Sequence, residues 1–247
     1  MIFHIPHSST YIPDEYQSLF YLNEEELERE LLLMTDSHTE KLFSLAVTEE
    51  DSIIVFPVSR LLVDPERFPE DEQEEMSQVG MGAIYSKTHS GMPLKDAERN
   101  RGELLDRYYK LHHEILTERV AQSLSATGQA LIIDCHSFPQ YPLAYEFNQS
   151  PLRPQICIGT DDFHTPQRLI RELTEVFSAA GFNVGMNKPF AGSIVPLQHY
   201  QNTSDVSSVM IEIRRDTYMD EATGLISDKF EDVQQLIELA VSRCRVR

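Results

Sequence analysis

The chain has 247 residues, 41% of them hydrophobic, and its 21 Lys and Arg against 40 Asp and Glu give a formal net charge of -19. That length fits a single domain over 1–247 with a sizeable core, and the charge argues against nucleic acid or an anionic membrane as partner, because nothing in the composition would neutralise phosphates. Cys135, Cys157 and Cys244 form no CxxC pair, no window reaches the roughly 18 apolar residues of a membrane span, and MIFHIPHSS lacks a basic n-region, so the expectation is a soluble cytoplasmic protein with reduced thiols.

The first short apolar run is IFHIP at 2–6. A helix is expected over 23–47, with Asn23 as N-cap and Glu24, Glu25 and Glu26 set against the helix dipole. SIIVFPV at 52–58 is a second strand, and the acidic stretch 64–91, rich in Pro and Gly, reads as a long loop of the kind that is usually functional or disordered. Over 96–126 the residues Leu104, Leu105, Tyr108, Leu111, Ile115 and Leu116 recur at helical spacing, with Gly128 as a stop. ALIIDC at 130–135 is a third strand, followed by a loop over 137–154 that carries four prolines.

QICIGT at 155–160, GFNVGM at 181–186 and SSVMIEI at 207–213 complete the set of strands, and helices are expected over 165–180 and 227–245. This alternation implies an α/β domain with a mostly parallel sheet covered on both faces, one or more antiparallel strands being compatible with it. No internal repeat interrupts the pattern, and the sequence marks no oligomeric interface.

Polar residues where such strands end are costly unless a metal or a partner claims them. His7 follows IFHIP and His136 follows LIIDC, with Asp134 two residues earlier on the same strand face and placed to hold an imidazole in one tautomer. Glu212 lies inside SVMIEIRR, where Val209, Ile211 and Ile213 line one face and Met210, Glu212 and Arg214 the other. It is either a structural ion pair with Arg214 or Arg215, or a general base tuned by burial. Asp36 and His38 in TDSHTEKLF are alternative further ligands, since residues two apart do not share a helix face. Asp36 would complete a mixed nitrogen and oxygen set with His7 and His136 and leave a position open. Cys135 beside His136 points to the opposite strand face, which argues against a Cys/His nucleophile.

The strings IPHSSTYIP, TDSHTEKLF, SRLLVDPERFP, GMGAIY, DCHSFP, NKPFAG and VMIEIRRD occur in that order over nearly the whole chain. In this the chain resembles the N-formylglutamate amidohydrolase family. The resemblance implies a three-layer α/β/α fold with a mixed sheet, related to zinc carboxypeptidases and aspartoacylases. It also implies a divalent metal, zinc first, held by His7, Asp36 and His136, with Glu212 as catalytic carboxylate. Arg60 and Arg67 resemble the arginines with which this group grips a substrate carboxylate, guanidinium forks suiting bidentate binding. Glu66 is a departure, since relatives commonly carry Asn before that arginine.

His113 matches a helical histidine of the family and is placed by that resemblance to face the site, His112 has no counterpart, and a helix-surface role is the alternative for either. Asn187, in the NKPFAG segment with Pro189, Phe190 and Gly192, is placed to shape the pocket mouth or simply to make a turn. His4, His89, His164 and His199 carry no signal beyond residue type. The implied substrate is a small acidic molecule, N-formyl-L-glutamate or a similar N-acylated acidic amino acid. Rivals are a related amidase acting on another N-acyl amino acid or a peptidoglycan fragment, and a non-catalytic member that binds a small acidic ligand.

Overall fold

In the computed structural model, which describes residues 1–245, the six apolar runs all become strands of one sheet. These are β1 (Ile2–Ile5), β2 (Ser52–Val55), β3 (Ala130–Phe138), β4 (Ile156–Gly159), β5 (Val184–Met186) and β6 (Val206–Arg214), in the order β2-β1-β3-β6-β4-β5. Neighbours are parallel except for β4, which runs antiparallel to β6. The helices are α1 (Asp14–Gln17), α2 (Glu24–Met34), α3 (Thr39–Phe43), α4 (Arg101–Leu104), α5 (Leu111–Thr127), α6 (Gln167–Ala179) and α7 (Phe230–Cys244). The fold is α/β, a mixed and mostly parallel sheet between helices, as expected. Among the described residues no helix is long and apolar enough to cross a membrane.

Strand parity decides where polar groups can go. Phe3, Ile5, Ile133, Cys135, Val209, Ile211 and Ile213 face one side, where they pack with Leu42 and Phe43 of α3, Leu169, Leu173 and Phe177 of α6, and Phe230, Val233 and Ile237 of α7. The alternate positions face α5. Near the strand starts these are Ile2, Ala130, Ile132 and Val206, packed on Leu116 and Val120. Further along the same face come His4, Asp134, His136 and Glu212, and their register pairs His4 with Asp134 and His136 with Glu212. One face is therefore apolar beneath α5 and polar at the carboxyl ends, which is where open α/β sheets place their crevice.

Two expected helices are altered, each for a reason on the page. The helix expected over 23–47 starts as read, with Asn23 Oδ1 accepting from Glu26 N at 3.0 Å and the Glu26 carboxylate accepting from Asn23 N at 2.9 Å. It stops at Met34, and Thr35 is extended while His38 is left-handed at φ 67. Tertiary bonds take the backbone groups that a continuous helix would use: Asp36 N donates to His7 O at 2.9 Å, Arg215 Nη1 to Leu33 O at 2.7 Å and the Tyr218 hydroxyl to Ser37 O at 2.8 Å. The break turns Asp36 inward.

The second case is a π-helical turn over Leu105–Lys110 between α4 and α5. A π turn holds an extra residue, so the buried stripe shifts in phase. Leu111 and Ile115, expected on the buried stripe, are 52% and 37% exposed, while His112, Leu116 and Val120 are buried. His112 is thus a core residue and not a surface one. The helix ends where expected, with Gly128 left-handed at φ 77.

The 64–91 stretch is an ordered loop. Asp64, Met81, Ala83 and Tyr85 are buried in it, and it joins a second apolar cluster with Phe56, Val58, Leu61, Leu62 and Leu104 that walls the crevice.

Candidate metal centre and substrate site

Three side chains from separate elements meet at the carboxyl end of the sheet: His7 after β1, Asp36 in the break after α2, and His136 in β3. Their potential ligand atoms all lie within 4.8 Å of one another. Asp36 Oδ2 is 3.2 Å from His136 Nδ1 and 3.8 Å from His7 Nδ1. His38 is not part of this group, because its Nε2 is bonded to Gly224 O at 2.8 Å.

Proton counting shows what the group suits. His7 Nε2 is 2.9 Å from Asp64 Oδ1, and Asp64 Oδ2 accepts from Arg60 Nη2 at 2.8 Å and from the Tyr85 hydroxyl at 2.6 Å. His136 Nε2 is 3.0 Å from Asp134 Oδ1, which also lies 2.8 Å from His4 Nδ1. An ionised carboxylate only accepts, so both histidines of the centre donate from Nε2 and turn an Nδ1 lone pair inward. His7 Nδ1 is buried and has no hydrogen-bond partner. Asp36 already accepts from Ser137 N at 3.1 Å and from Arg215 Nη2 at 3.2 Å.

Two imidazole lone pairs and a carboxylate oxygen converge, with their donors spent elsewhere. That donor set fits a divalent cation, and the carboxylates behind each imidazole are the usual support of metal-binding histidines.

Without a cation the same lone pairs attract protons. Burial opposes protonation of His136, but Glu66, Asp134 and Asp36 hold its pKa well above the ordinary histidine range, and His7 is raised also. Protons and a metal compete for these nitrogens.

The support behind His136 runs deeper than the sequence indicates. His4 donates to Asp134 from Nδ1, and its Nε2 shares a 2.8 Å hydrogen bond with His112 Nε2. Burial above all pushes the His112 pKa down to about 2, which keeps that ring neutral. The chain His112, His4, Asp134, His136 therefore links α5 through β1 to the centre. His4 carried no signal in the sequence beyond its residue type; its position on the polar face of β1 is what gives it a role.

Glu212 stands opposite His136 in the β3/β6 register. It is 6% exposed and its Oε2 has no partner. Neither arginine considered for it is available: Arg214 pairs with Asp216 at 2.6 Å and Arg215 is used on Asp36. Burial, aided by the Asp36 and Glu66 carboxylates and opposed by His136, pushes the Glu212 carboxyl up to about 8. Cys157 is its cross-strand neighbour on β4, and Cys135 lies in the apolar core on the other face.

The two arginines separate. Arg60 is buried and committed to Asp64 and Tyr85, so it orients the carboxylate behind His7 instead of offering a free fork. Arg67 is 26% exposed at its side chain, its Nε has no hydrogen bond, and its nearest carboxylate oxygen is Asp64 Oδ2 at 3.9 Å. His113 Nε2 donates to Pro65 O at 2.8 Å and so clamps the backbone that carries Glu66 and Arg67.

Asn187 does not offer its amide to a ligand. Its Oδ1 accepts from Thr160 N and its Nδ2 donates to Thr160 Oγ1, both at 2.8 Å, making it a turn residue. The other histidines are also accounted for locally, His89 by Glu30 and His164 by Val206 O.

Asp64 and Tyr85 escaped the sequence reading, and Arg215 entered it only as a possible partner of Glu212, not of Asp36. Only Asp64 had a visible signal, as an acidic residue directly after the apolar run LLV.

A profile of the N-formylglutamate amidohydrolase family matches residues 1–219, a span that contains every residue of the centre. Among curated proteins none matches significantly. Among solved structures, N-formylglutamate amidohydrolase from Ralstonia eutropha JMP134 is similar with a TM-score of 0.83 and 25% identity, over 98% of this chain and 91% of that one. A gene product of Agrobacterium tumefaciens shares the fold with a TM-score of 0.65 at 20% identity, over 98% of this chain and 90% of its own. The chain belongs to the N-formylglutamate amidohydrolase family.

Proposed function

We propose that this protein is a metal-dependent amidohydrolase that cleaves N-formyl-L-glutamate, or a similar N-acylated acidic amino acid, to formate and the free amino acid. Family membership supports amide hydrolysis, and the observation that carries the mechanism is Glu212. A buried carboxylate with an unpartnered oxygen, set beside a convergent donor group, is arranged for proton transfer and not for a structural pair.

His7, Asp36 and His136 would hold the cation, for which zinc leads on this three-residue set while manganese, iron and cobalt also suit it. When bound, such a cation supplies Lewis-acid polarisation of the carbonyl and lowers the pKa of water. Glu212, its ionised form favoured by a nearby cation, would accept a proton from the attacking water at Oε2 and deliver it to the departing amine nitrogen, so that water and amide become formate and amine. Arg67, with its free Nε, would bind the substrate carboxylate. Binding energy away from the scissile bond then orients the carbonyl toward Glu212. The substrate is a small acidic molecule, and the -19 charge of the whole chain makes a local guanidinium necessary to attract it. Reduced Cys135, Cys157 and Cys244, all free and buried, suit a cytoplasmic location.

A related amidase acting on another N-acyl amino acid is the second reading, favoured by Glu66, whose negative charge adjoins Arg67. The two are separated by a panel of N-formyl and N-acetyl amino acids with released amine as readout. Glu212→Gln tests the mechanism: it should keep its metal while turnover falls by about 10²–10⁴, the usual contribution of a positioned general base. Undiminished hydrolysis by that variant would remove Glu212 from the reaction.

A further inference from the structure

We propose that Glu66 is a fourth protein ligand of the divalent cation, making the centre one of two histidines and two carboxylates. This rests on reading His7, Asp36 and His136 as the cation site.

The Glu66 carboxylate reaches in among three imidazoles. Oε2 is 3.1 Å from His136 Nε2 and 3.8 Å from His7 Nδ1, and Oε1 is 3.6 Å from His4 Nδ1. None of these approaches has a proton to serve it. The His136 Nε2 and His4 Nδ1 protons go to Asp134 at 3.0 and 2.8 Å, and His7 Nδ1 is the inward lone pair. A carboxylate with 18% side-chain exposure, free to turn toward water, instead points at nitrogen edges that donate nothing to it. Positive charge at the His7 and His136 edges, borne by protons or by a cation that displaces them, explains that orientation.

The backbone holds it there. Glu66 N donates to Asp64 Oδ1 at 3.0 Å, and Pro65 O is fixed by His113. Asp64 and His113 thus aim the Glu66 side chain while Asp64 also orients His7.

The approach to His7 Nδ1 is the same for both carboxylates, since Asp36 Oδ2 and Glu66 Oε2 each stand 3.8 Å from it. His4, Glu66 and Asp134 also form a compact group. A separate cation there would have to displace the His4 Nδ1 proton from its 2.8 Å hydrogen bond to Asp134, so Glu66 is assigned to the His7 centre.

The second carboxylate changes the chemistry. Two anionic oxygens balance a divalent charge and move the set toward harder ions. With four protein ligands, a position for substrate remains only if the ion accepts a fifth or sixth ligand, which favours manganese, iron or cobalt over four-coordinate zinc.

The test uses the full chain stripped of metal by chelation and titrated calorimetrically with Mn²⁺ and with Zn²⁺, alongside Glu66→Gln, Glu66→Asp and Asp36→Asn, and records the visible absorption of bound Co²⁺. Glu66→Gln should weaken Mn²⁺ by about tenfold or more, weaken Zn²⁺ less, and alter the Co²⁺ spectrum; Glu66→Asp should fall between it and the parent. If Glu66→Gln binds both ions as the parent does, with an unchanged Co²⁺ spectrum, while Asp36→Asn loses affinity, Glu66 is not a ligand and the three-residue centre stands. If the parent binds no metal, or Asp36→Asn binds like the parent, the centre itself is misassigned and the role of Glu66 falls with it.

Discussion

Asp134→Asn isolates the claim that the histidines of the centre are held in one tautomer. Asp134 Oδ1 serves His4 Nδ1 and His136 Nε2, and Oδ2 accepts from Ile194 N at 3.1 Å. Asparagine offers one acceptor oxygen and one donor group, so two placements are possible. With the oxygen toward the histidines, the new amide N–H₂ faces the Ile194 N–H; with the oxygen toward Ile194, it faces two imidazole N–H groups. The first leaves one conflict and the second leaves two. At about 1–3 kcal/mol for each buried donor left unsatisfied, the better placement costs about 1–3 kcal/mol.

For a chain of this size that lowers Tm by about 2–12 °C, at roughly 2–4 °C per kcal/mol. In that placement the neutral amide oxygen still accepts from His136 Nε2, but without the carboxylate charge it holds the Nε2–H tautomer less firmly and leaves Nδ1 a weaker donor to the cation. Metal affinity should therefore drop by about 10–100-fold, as for other groups that orient metal-binding histidines. Thermal melts of chelated protein and competition against a chromophoric chelator read the two effects separately. A lower Tm with metal affinity unchanged within about threefold would refute the tautomer argument and leave Asp134 a purely structural acceptor.

Arg67→Ala should raise KM for the acidic substrate by about 10–100-fold, from the loss of about 1.5–3 kcal/mol in hydrogen bonds to a charged group, with kcat less affected. Arg60→Ala should instead weaken the fold and metal binding, because it releases Asp64 from behind His7; steady-state kinetics giving equal KM effects for both variants would show that the two arginines have been wrongly separated. Asp51 accepts from both Arg245 nitrogens, at 3.0 Å from Nη1 and 2.6 Å from Nη2, and from the Met1 amino group at 2.7 Å, and these partners overcome partial burial to hold its carboxyl below the usual range. A depressed acid stabilises above its unfolded value, about 3.9, and loses that contribution as pH falls through the folded value. Asp51→Asn should then cost about 1–2 kcal/mol at neutral pH after allowance for screening, and its Tm gap to the parent should close progressively below about pH 4. A gap that stays constant down to acid pH would mean that the charge is irrelevant.

Strands were legible because each is a short β-branched run, and parity alone placed His136 with Asp134 on one strand face, Cys135 on the other, and Glu212 opposite Val209, Ile211 and Ile213 in its own strand. What could not be read depends on residues far apart in sequence. The break at Thr35 is imposed by His7, Arg215 and Tyr218, none of which is visible from the local helix pattern. Nor does spacing announce a π turn, so the expected stripe ran through Leu111 and Ile115 and missed His112. Among the histidines, His4, His89 and His164 look alike as residue types. They differ only in what lies opposite: Asp134 and His112 for the first, Glu30 for the second, backbone for the third. Arg60 and Arg67 were likewise indistinguishable until Asp64 and Tyr85 claimed one of them.

The polar half of the sheet face has a further consequence for binding. His7 is fixed by Asp64, which Arg60 and Tyr85 fix in turn; His136 is fixed by Asp134, His4 and His112; Asp36 is fixed by Arg215 and the Ser137 N–H. These supports come from β1, β3, α5, the loop after β2 and the turn after β6, so each inward-facing atom is oriented by the fold before any ligand arrives. A centre ordered in advance loses little conformational entropy on binding, and its affinity then depends on the lone pairs it presents. The residues outside that scaffold are Glu212, whose Oε2 has no partner, and Arg67, whose Nε has none. In the proposed reaction those two are the side chains left to respond to a substrate, the first to a proton and the second to a carboxylate, and the difference between fixed and unfixed side chains is the physical basis for dividing the proposed site into a part that holds and a part that reacts.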